Sequence, residues 1–199
     1  HDPQLVAVTG GPGAGKTAML QLALRSFCNH VGVIPEAAGV LFGGGFPRDH
    51  DAAGLRFIQR AIFHVQEQME GLVLDTGRVA VVLCDRGTLD GLAYWPGAPE
   101  DFWSDVGSAR EVQLARYTAV LHLRTPDLTQ GYNHDNTHRV ESAAEAREID
   151  ERILRAWDGH PRRLVIESTD DFLKKAQAAL EYVRDQLPEC CTGHQLTSG

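Results

Sequence analysis

The chain is poor in lysine, and its charge is predominantly acidic. Its 199 residues include three lysines against sixteen arginines, and the formal net charge is -8. This balance argues against a general nucleic-acid binder or a membrane-surface protein, although a local basic patch could serve an anionic substrate. Because lysine is so rare, Lys16 stands out from its background. No apolar run approaches the length of a membrane span or of a signal-peptide core, so we expect a soluble, cytoplasmic protein.

The sequence also lacks the usual patterns of metal and disulfide sites. The nine histidines form no H-x-x-x-H pair on a predicted helix, and the nearest candidates, His134 and His138, fall in a predicted loop. The cysteines have neither zinc-ligand spacing nor the arrangement of a disulfide framework, so we expect free thiols. They are Cys28, Cys84, Cys190 and Cys191.

The stretch GGPGAGKT at positions 10 to 17 fits the phosphate-binding pattern G-x-x-x-x-G-K-[ST] and directly follows an apolar run. Its glycines let the backbone curl so that N–H groups point at one anion. Lys16 can reach the β- and γ-phosphates, and the Thr17 hydroxyl is placed to ligate Mg²⁺ at the start of a helix. The alternative is a glycine-rich turn that only caps a helix. The predicted nucleotide-binding residues are Gly11, Pro12, Gly13, Ala14, Gly15, Lys16, Thr17 and Ala18.

Short apolar runs alternate with segments of helical period along the chain. We predict strands at about 4–9, 31–35, 79–84, 118–123 and 163–167, and helices at about 16–29, 52–71, 108–117, 143–157 and 170–187. This alternation predicts an α/β fold with a mostly parallel sheet and helices on both faces.

The length and the 43% hydrophobic content fit a single domain, which we place over residues 4–187. Residues 1–3 are expected to be a tag remnant or a disordered start, and residues 188–199 a flexible tail. Two long loops, 37–51 and 125–141, are candidate lids or substrate clamps. In open α/β sheets, ligands sit at the carboxyl ends of the strands.

Charged residues follow the predicted strand 79–84. Asp85 stands in the position of a Walker B carboxylate, which would hold Mg²⁺ directly or through water; alternatively it is a turn residue paired with Arg86. Arg86 occupies the place where hydrolytic motors carry a second carboxylate, and this disfavours a motor ATPase. A guanidinium there suits an anionic or hydroxylated acceptor, or developing phosphoryl charge. The absence of an NKxD-type sequence weakens a signalling GTPase.

Glu36 follows the predicted strand 31–35 and should reach the same edge of the sheet. If the acceptor is a hydroxyl, a carboxylate about 3 Å from it could take its proton or align it. Alternatively, Glu36 caps the following turn or pairs with a surface arginine. Further along, Asp90, Tyr94 and Trp95 offer one acid and two rings to a flat substrate, with ordinary packing under a loop as the competing interpretation.

Seven arginines lie between positions 124 and 163, and some could close over a triphosphate. A mobile segment that carries arginine can supply charge to the transferring phosphoryl group and exclude water. Arg139, in the predicted lid of about 125–141, and Arg147, near the start of the following helix, are the candidates. That helix also carries four acidic residues, so solvated helix pairs are the alternative for any one arginine.

Several further strings accompany the phosphate-binding motif: PEAAG at 35–39, CDRGTLDGLAYW at 84–95, Tyr132 with HRVE at 138–141, and VIES followed by DDFLKKA. With these, the chain resembles the small P-loop kinases related to thymidylate and deoxynucleoside kinases. More closely, it resembles the AAA-like ATPase/kinase domain shared by the ribosylnicotinamide kinase domain and the TRPL translocation defect protein, over roughly residues 4 to 183.

The resemblance implies a P-loop NTPase fold with a five-stranded parallel sheet and a lid, and ATP or GTP with Mg²⁺ as ligands. It also implies an acceptor pocket near Glu36, Asp85 and Arg86, a lid near Arg139, and a nucleotide base against the loop after Ser168. Members of this group include proteins regarded as nucleotide or phosphoinositide binders as well as kinases.

These residues favour a magnesium-dependent phosphotransferase that moves the γ-phosphoryl of ATP to a nucleoside-like or other small acceptor. Lys16, Thr17 and Asp85 would hold nucleotide and metal, with Glu36 aligning the acceptor. Arg86 and Arg139 would neutralise charge. The alternative is a regulatory module that senses ATP or GTP and binds a partner or an anionic lipid. Simple hydrolysis would need a water-polarising carboxylate that the sequence does not place; an oligomer is compatible with each of these functions.

Overall fold

A five-stranded parallel sheet forms the centre of the molecule. The computed structural model describes residues 1–48, 51–126, 142–168 and 171–192. Each strand pairs with its neighbours in parallel, in the order β2-β3-β1-β4-β5, and this confirms the predicted α/β class and the five-stranded parallel sheet. The strands are β1 (Gln4–Thr9), β2 (Val31–Ile34), β3 (Val81–Asp85), β4 (Tyr117–Leu123) and β5 (Arg163–Ile166).

Helices connect the strands and cover the sheet. In the described residues they are α1 (Lys16–Ser26), α2 (Ala37–Gly43), α3 (Ala52–Thr76), α4 (Pro99–Val106), α5 (Arg110–Ala115), α6 (Ala143–Ala156), α7 (Phe172–Arg184) and α8 (Glu189–Thr192), with a 3₁₀ segment at Thr88–Tyr94. None of them combines the length and the apolar character needed to cross a bilayer.

Alternating residues of β1 pack into two different cores. Val6 and Val8 lie in a cluster with residues of α1 and α7 on one face of the sheet. Leu5 and Ala7 lie in a second cluster on the other face, where α6 contributes Trp157, which directly follows its last residue. Because successive side chains of a strand point to opposite faces, this pattern requires helices on both sides, as predicted.

Three helical segments before β4 lie where the sequence predicts none. α2 occupies part of the predicted loop 37–51, and the 3₁₀ segment and α4 lie between the strand predicted at 79–84 and the helix predicted at 108–117. α4 carries recognisable signals: Pro99 stands in its first turn, and Gly107 follows its end with a left-handed φ of 66°. A capping box, in which Ser142 and Glu145 bond to each other's backbone N–H, begins α6.

The end of the described chain is more ordered than the sequence suggests. Residues from 188 onward are predicted to be a flexible tail, yet Glu189–Thr192 form α8 and Cys191 is buried. Cys191 lies against Cys28 and His30, which accounts for its burial. Residues 193–199 lie outside the described part of the chain.

The order of the strands brings three connections to one edge of the sheet. β1 pairs directly with β3, with Val8 opposite Asp85, so the loop after β1 lies beside the residues that follow β3. β2 pairs with the other side of β3, with Ile34 opposite Cys84, and this brings Glu36 to the same edge. A ligand site at the carboxyl ends of the strands would therefore contact all three connections.

Candidate functional site

The loop between β1 and α1 has the conformation of an anion-binding cradle. Gly10, Gly13 and Gly15 adopt left-handed φ angles of 131°, 79° and 91°. A Cβ atom on Gly10 would lie 2.0 Å from the carbonyl oxygen of Leu123, so only glycine fits there. No side chain in the described residues caps α1, and its first-turn N–H groups can therefore bind an anion.

Gly11 differs from the other glycines of the loop. Its N–H donates to Asp150 Oδ1 at 2.7 Å. A Cβ atom here would lie 2.4 Å from Thr125 Oγ1 and 2.7 Å from Asp150 Cβ. The sequence predicts that Gly11 binds phosphate. In the structure its N–H points to Asp150 of α6, and Gly11 packs closely against Thr125 and Asp150.

Asp150 is a residue of this site that the sequence analysis missed. Its side chain is only 2% exposed, and its oxygens lie 3.0 Å from His122 Nε2 and 3.0 Å from Arg124 Nε. Burial alone would raise the pKa of Asp150, but the hydrogen bond with His122, the Gly11 N–H and the charge of Arg124 lower it. In sequence it looks like one acid among several on a solvated helix, and its partner Gly11 is 139 residues away.

Lys16 turns back on the loop that precedes it. Its Nζ donates to the carbonyl oxygens of Gly10 at 2.8 Å and Gly11 at 3.0 Å, and the residue is 8% exposed. Burial, aided by the charge of Arg86, lowers the pKa of Lys16 to about 8. The ammonium group is therefore held inside the cradle, where it can meet a phosphate.

Asp85 ends β3 close to this lysine. Burial raises its pKa, while the charge of Lys16 opposes that rise. Thr17 is exposed in the first turn of α1. A hydroxyl and a carboxylate beside a phosphate-binding loop are oxygen ligands of the type that Mg²⁺ prefers, so the residues present fit the predicted metal.

Arg86 connects the loop to two acidic residues. Its Nε donates to Glu36 Oε1 at 2.6 Å, and one terminal nitrogen donates to Asp90 Oδ2 and to the Gly10 carbonyl oxygen, both at 3.2 Å. Its φ angle of 72° is unusual for a residue with a side chain. Such a conformation costs about 1–3 kcal/mol and persists where surrounding contacts enforce it, often at functional sites.

Glu36 is the more accessible of the two acids. Burial would raise the pKa of Glu36, but the charge and the hydrogen bond of Arg86 lower it. Glu36 stands at the N-cap of α2 without capping it through its side chain. Its carboxylate pairs with Arg86 at the sheet edge instead, with 38% of the side chain exposed.

Asp90 is buried and hydrogen-bonded to several other residues of the protein. It is 3% exposed and accepts hydrogen bonds from Thr9 Oγ1 at 2.7 and 2.8 Å and from Trp157 Nε1 at 2.6 Å, in addition to the contact with Arg86. The sequence predicts that Asp90 binds substrate, and Asp90 does line the large cavity described below. Its contact with Arg86 also allows it to hold that guanidinium in position.

The two predicted stacking rings lie in different surroundings. Tyr94 lines the large cavity described below, and the Arg86 guanidinium lies 5.7 Å from its ring centroid. Trp95 is buried with Phe63 and Phe102, 5.2 Å from the Phe102 ring centroid. It is not among the described residues that line the cavity, and its position matches the packing alternative rather than a substrate contact.

A large cavity of about 620 Å³ adjoins the phosphate-binding loop. Glu36, Arg86 and Asp90 form its polar end, and Pro12 of the phosphate-binding loop also lines it. Helices α2 and α3 supply much of its remaining wall. α2 lies in the segment 37–51 that is predicted to be a lid or substrate clamp, whereas α3 is not predicted to be part of the site. Their lining residues include Phe42, Leu55, Ile58, Gln59, Ile62, Phe63 and Gln66.

Part of the predicted lid lies outside the described residues. Arg139, Tyr132 and the HRVE string fall there, so the role of Arg139 stays a prediction. Arg147 is exposed on α6. After Ser168 the description resumes at 171, and the ring of Phe172 lies beside the phosphate-binding loop, 3.6 Å from where a Cβ on Gly15 would stand.

The strand–loop–helix unit, with an aspartate at the end of the adjacent strand, defines a P-loop NTPase domain. A family model described as an AAA domain matches residues 5–175. The chain therefore belongs to the AAA domain family, and its fold is that of a nucleotide-binding domain. A search of curated proteins found no match.

Proposed function

We propose that this protein is a magnesium-dependent phosphotransferase that moves the γ-phosphoryl group of ATP to a small, nucleoside-like acceptor. The observation that carries this proposal is the large cavity beside the phosphate-binding loop, with Glu36 and Arg86 at its polar end. Hydrolysis needs room for a water molecule, whereas a cavity of about 620 Å³ is in the size range of small-molecule sites.

The nucleotide would be held by Lys16 and the first-turn N–H groups of α1, which could bind its β- and γ-phosphates. Thr17 and Asp85 would hold Mg²⁺, which would supply positive charge to offset that of the phosphates. Arg86, fixed by its two carboxylate partners, would stabilise charge that develops on the transferring group.

Glu36 would orient the acceptor hydroxyl. Because Arg86 lowers its pKa, Glu36 is ionised at neutral pH and is a weak base. Transfer of a phosphoryl group passes through a loose transition state and depends mainly on positioning, so a weak base at the right distance is sufficient. The amide of Gln59 and the ring of Tyr94 add the polar and flat surfaces that a nucleoside-like molecule would contact.

Phe172 is our proposed platform for the nucleotide base. It is 45% exposed although it is a large apolar side chain, and it stands next to the loop. Base–aromatic stacking contributes about 1–3 kcal/mol, so Phe172→Ala should weaken ATP binding about five- to hundredfold in calorimetry. Leu173→Ala is the matched control, because Leu173 is the next residue and is 76% exposed. Equal losses in both variants would contradict this role.

The test of the whole proposal is a screen for ATP-dependent mass gain of one phosphoryl group in nucleosides, nucleotides and phosphorylated metabolites. With the acceptor found, Glu36→Gln should lower turnover about hundredfold or more and leave the ATP dissociation constant nearly unchanged. Glu145→Gln is the control, because Glu145 also lines the cavity and glutamine can preserve its capping box. A similar loss in both variants would refute the role of Glu36.

A nucleotide-sensing module is the second candidate. It is favoured by the contacts of Arg86, which already pairs with the two carboxylates of Glu36 and Asp90 within the protein. A protein of this kind would bind ATP or GTP, give no phosphorylated product in the screen, and keep its nucleotide affinity in the Glu36→Gln variant.

A further inference from the structure

A cluster of thiols and an imidazole lies away from the nucleotide site. Cys28 and His30 stand in the turn between α1 and β2, and Cys191 belongs to α8. The Sγ atoms of the two cysteines and a ring nitrogen of His30 all lie within 4.8 Å of one another. Spacing along the chain could not reveal this set, because His30 and Cys191 are 161 residues apart.

The distances are close to those of a tetrahedral zinc site. With Zn–S near 2.3 Å and Zn–N near 2.05 Å, ligand sulfur and nitrogen atoms lie about 3.6 Å apart, and two sulfurs about 3.8 Å apart. Cys191 Sγ lies 3.3 Å from His30 Nδ1. Small rotations of the side chains would therefore bring three ligand atoms to one ion without movement of the backbone.

The backbone of the turn is fixed by the sheet. The Val31 N–H donates to the Cys28 carbonyl oxygen at 3.0 Å. The His30 carbonyl oxygen accepts from the N–H groups of Ala80 at 2.7 Å and Val81 at 3.1 Å. Cys28 is thus held by a hydrogen bond within the turn, and His30 by hydrogen bonds to the start of β3. Both restraints reduce the entropy lost when a metal binds.

The third ligand arrives on an anchored segment. Leu187, four residues before Cys191, packs against the core cluster of α1 and α7. The Cys191 N–H donates to the Pro188 carbonyl oxygen at 2.8 Å, which closes the turn that carries the thiol. α8 therefore brings Cys191 to the cluster from a defined direction.

We propose that Cys28, His30 and Cys191 bind one Zn²⁺ ion that fastens α8 to the turn after α1. Sulfur and imidazole ligands suit zinc and disfavour magnesium or calcium. Two thiolates balance the charge of the ion, so a partly buried site holds no net charge. Three protein ligands leave one position for solvent or for Cys190, whose Sγ is 3.8 Å from that of Cys191.

The site is structural and independent of the proposed phosphotransferase. It lies at the end of α1 opposite to the phosphate-binding loop, and an eleven-residue helix separates the two by about 16 Å. Because zinc should bind the folded protein and not the unfolded chain, it should raise the melting temperature. It should leave the ATP dissociation constant unchanged.

The experiment uses the whole chain, reduced and freed of metal, titrated with Co²⁺ and then Zn²⁺. We expect one equivalent of Co²⁺ with a thiolate-to-cobalt charge-transfer band, displaced by Zn²⁺. Each of Cys28→Ser, His30→Ala and Cys191→Ser should weaken binding about hundredfold or more, since loss of outer contacts alone costs about 10–100-fold. Two controls should keep the site: Cys84→Ala removes a buried thiol of β3, and His1→Ala removes the imidazole whose ring lies 4.5 Å from that of His30.

A measurement on the unaltered protein guards against variants that do not fold. Zn²⁺ should slow alkylation of Cys28 and Cys191 at least tenfold, as followed by mass spectrometry of their peptides. Absence of a bound equivalent, affinity unchanged in the three ligand variants, or loss of binding in the His1→Ala control would overturn the assignment. Zinc-free protein joined by a Cys28–Cys191 disulfide when purified under reducing conditions would overturn it as well.

Discussion

Replacing Asp150 with asparagine should destabilise this domain far more than its place on a charged helix suggests. The carboxylate accepts from the Gly11 N–H and pairs with His122 and Arg124. An asparagine side chain would turn an NH₂ group toward at least one of these donors and leave Arg124 without its buried partner. Removing one member of a buried pair costs about 3–5 kcal/mol, which corresponds to a fall of about 6–20 °C in melting temperature for a chain of this size.

Glu151→Gln is the matched control for this prediction. Glu151 is the next residue and also pairs with Arg124, but its side chain is 51% exposed, against 2% for Asp150. Exposed pairs contribute about 1 kcal/mol or less. Urea denaturation followed by circular dichroism, with calorimetry, gives both free energies of unfolding. If the two variants lose the same stability, the buried network does not hold the loop as we infer.

The lowered pKa of Asp150 predicts how the stability lost in the Asp150→Asn variant depends on pH. Because the pKa of Asp150 is lowered in the folded protein, its stabilising contribution is present above the unfolded pKa of about 3.9. That contribution is lost as the pH falls through the lowered folded pKa. The stability difference between the wild type and Asp150→Asn should therefore be constant near neutral pH and narrow below about pH 4. A difference that widens in acid would contradict this sign.

Two further predictions concern Lys16 of the phosphate-binding loop and Gly87, which packs against Trp157. Because the pKa of Lys16 is about 8, ATP affinity should be constant below that pH and fall about tenfold per pH unit above it. Calorimetry above pH 8 should show proton uptake when ATP binds. In the Lys16→Arg variant, ATP affinity should depend less on pH. An equally steep fall in that variant would refute the assignment. Gly87→Ala would put a Cβ 2.6 Å from Trp157 and should cost about 1–3 kcal/mol in urea denaturation, whereas Gly43→Ala meets no atom within 4 Å and should not destabilise the protein.

The strands could be predicted closely because they are short apolar runs that contain β-branched residues. Their observed bounds differ from the predicted ones by no more than about two residues at either end. The helices near the large cavity were harder. α2 contains Gly39 and Gly43, which lower helix propensity, and it is stabilised by packing against α3 rather than by its own sequence. The α4 boundaries, by contrast, were readable from Pro99 and Gly107.

The residues of the candidate site also include some that the sequence predicts and some that it does not. Lys16, Asp85 and Glu36 could be predicted, because a local motif and the ends of neighbouring parallel strands place them at one edge of the sheet. The contacts that hold the residues of this edge in place could not be predicted. Asp90 reads as a substrate acid in a loop, yet its partners Thr9 and Trp157 are 81 and 67 residues away in the chain. Contacts of this range have no local signature in one sequence.

The bond between Gly11 and Asp150 divides the nucleotide loop into two unequal parts. Residue 11 donates its amide hydrogen to a carboxylate of the protein, and Pro12 has none to offer. The Ala14 N–H donates to the Gly11 carbonyl oxygen. Backbone donors for an anion must then come from Gly13 and from positions 15 to 18, at the amino end of α1. Changes there would alter which anions the loop retains, whereas changes at residue 11 would alter how firmly the loop is joined to the rest of the domain.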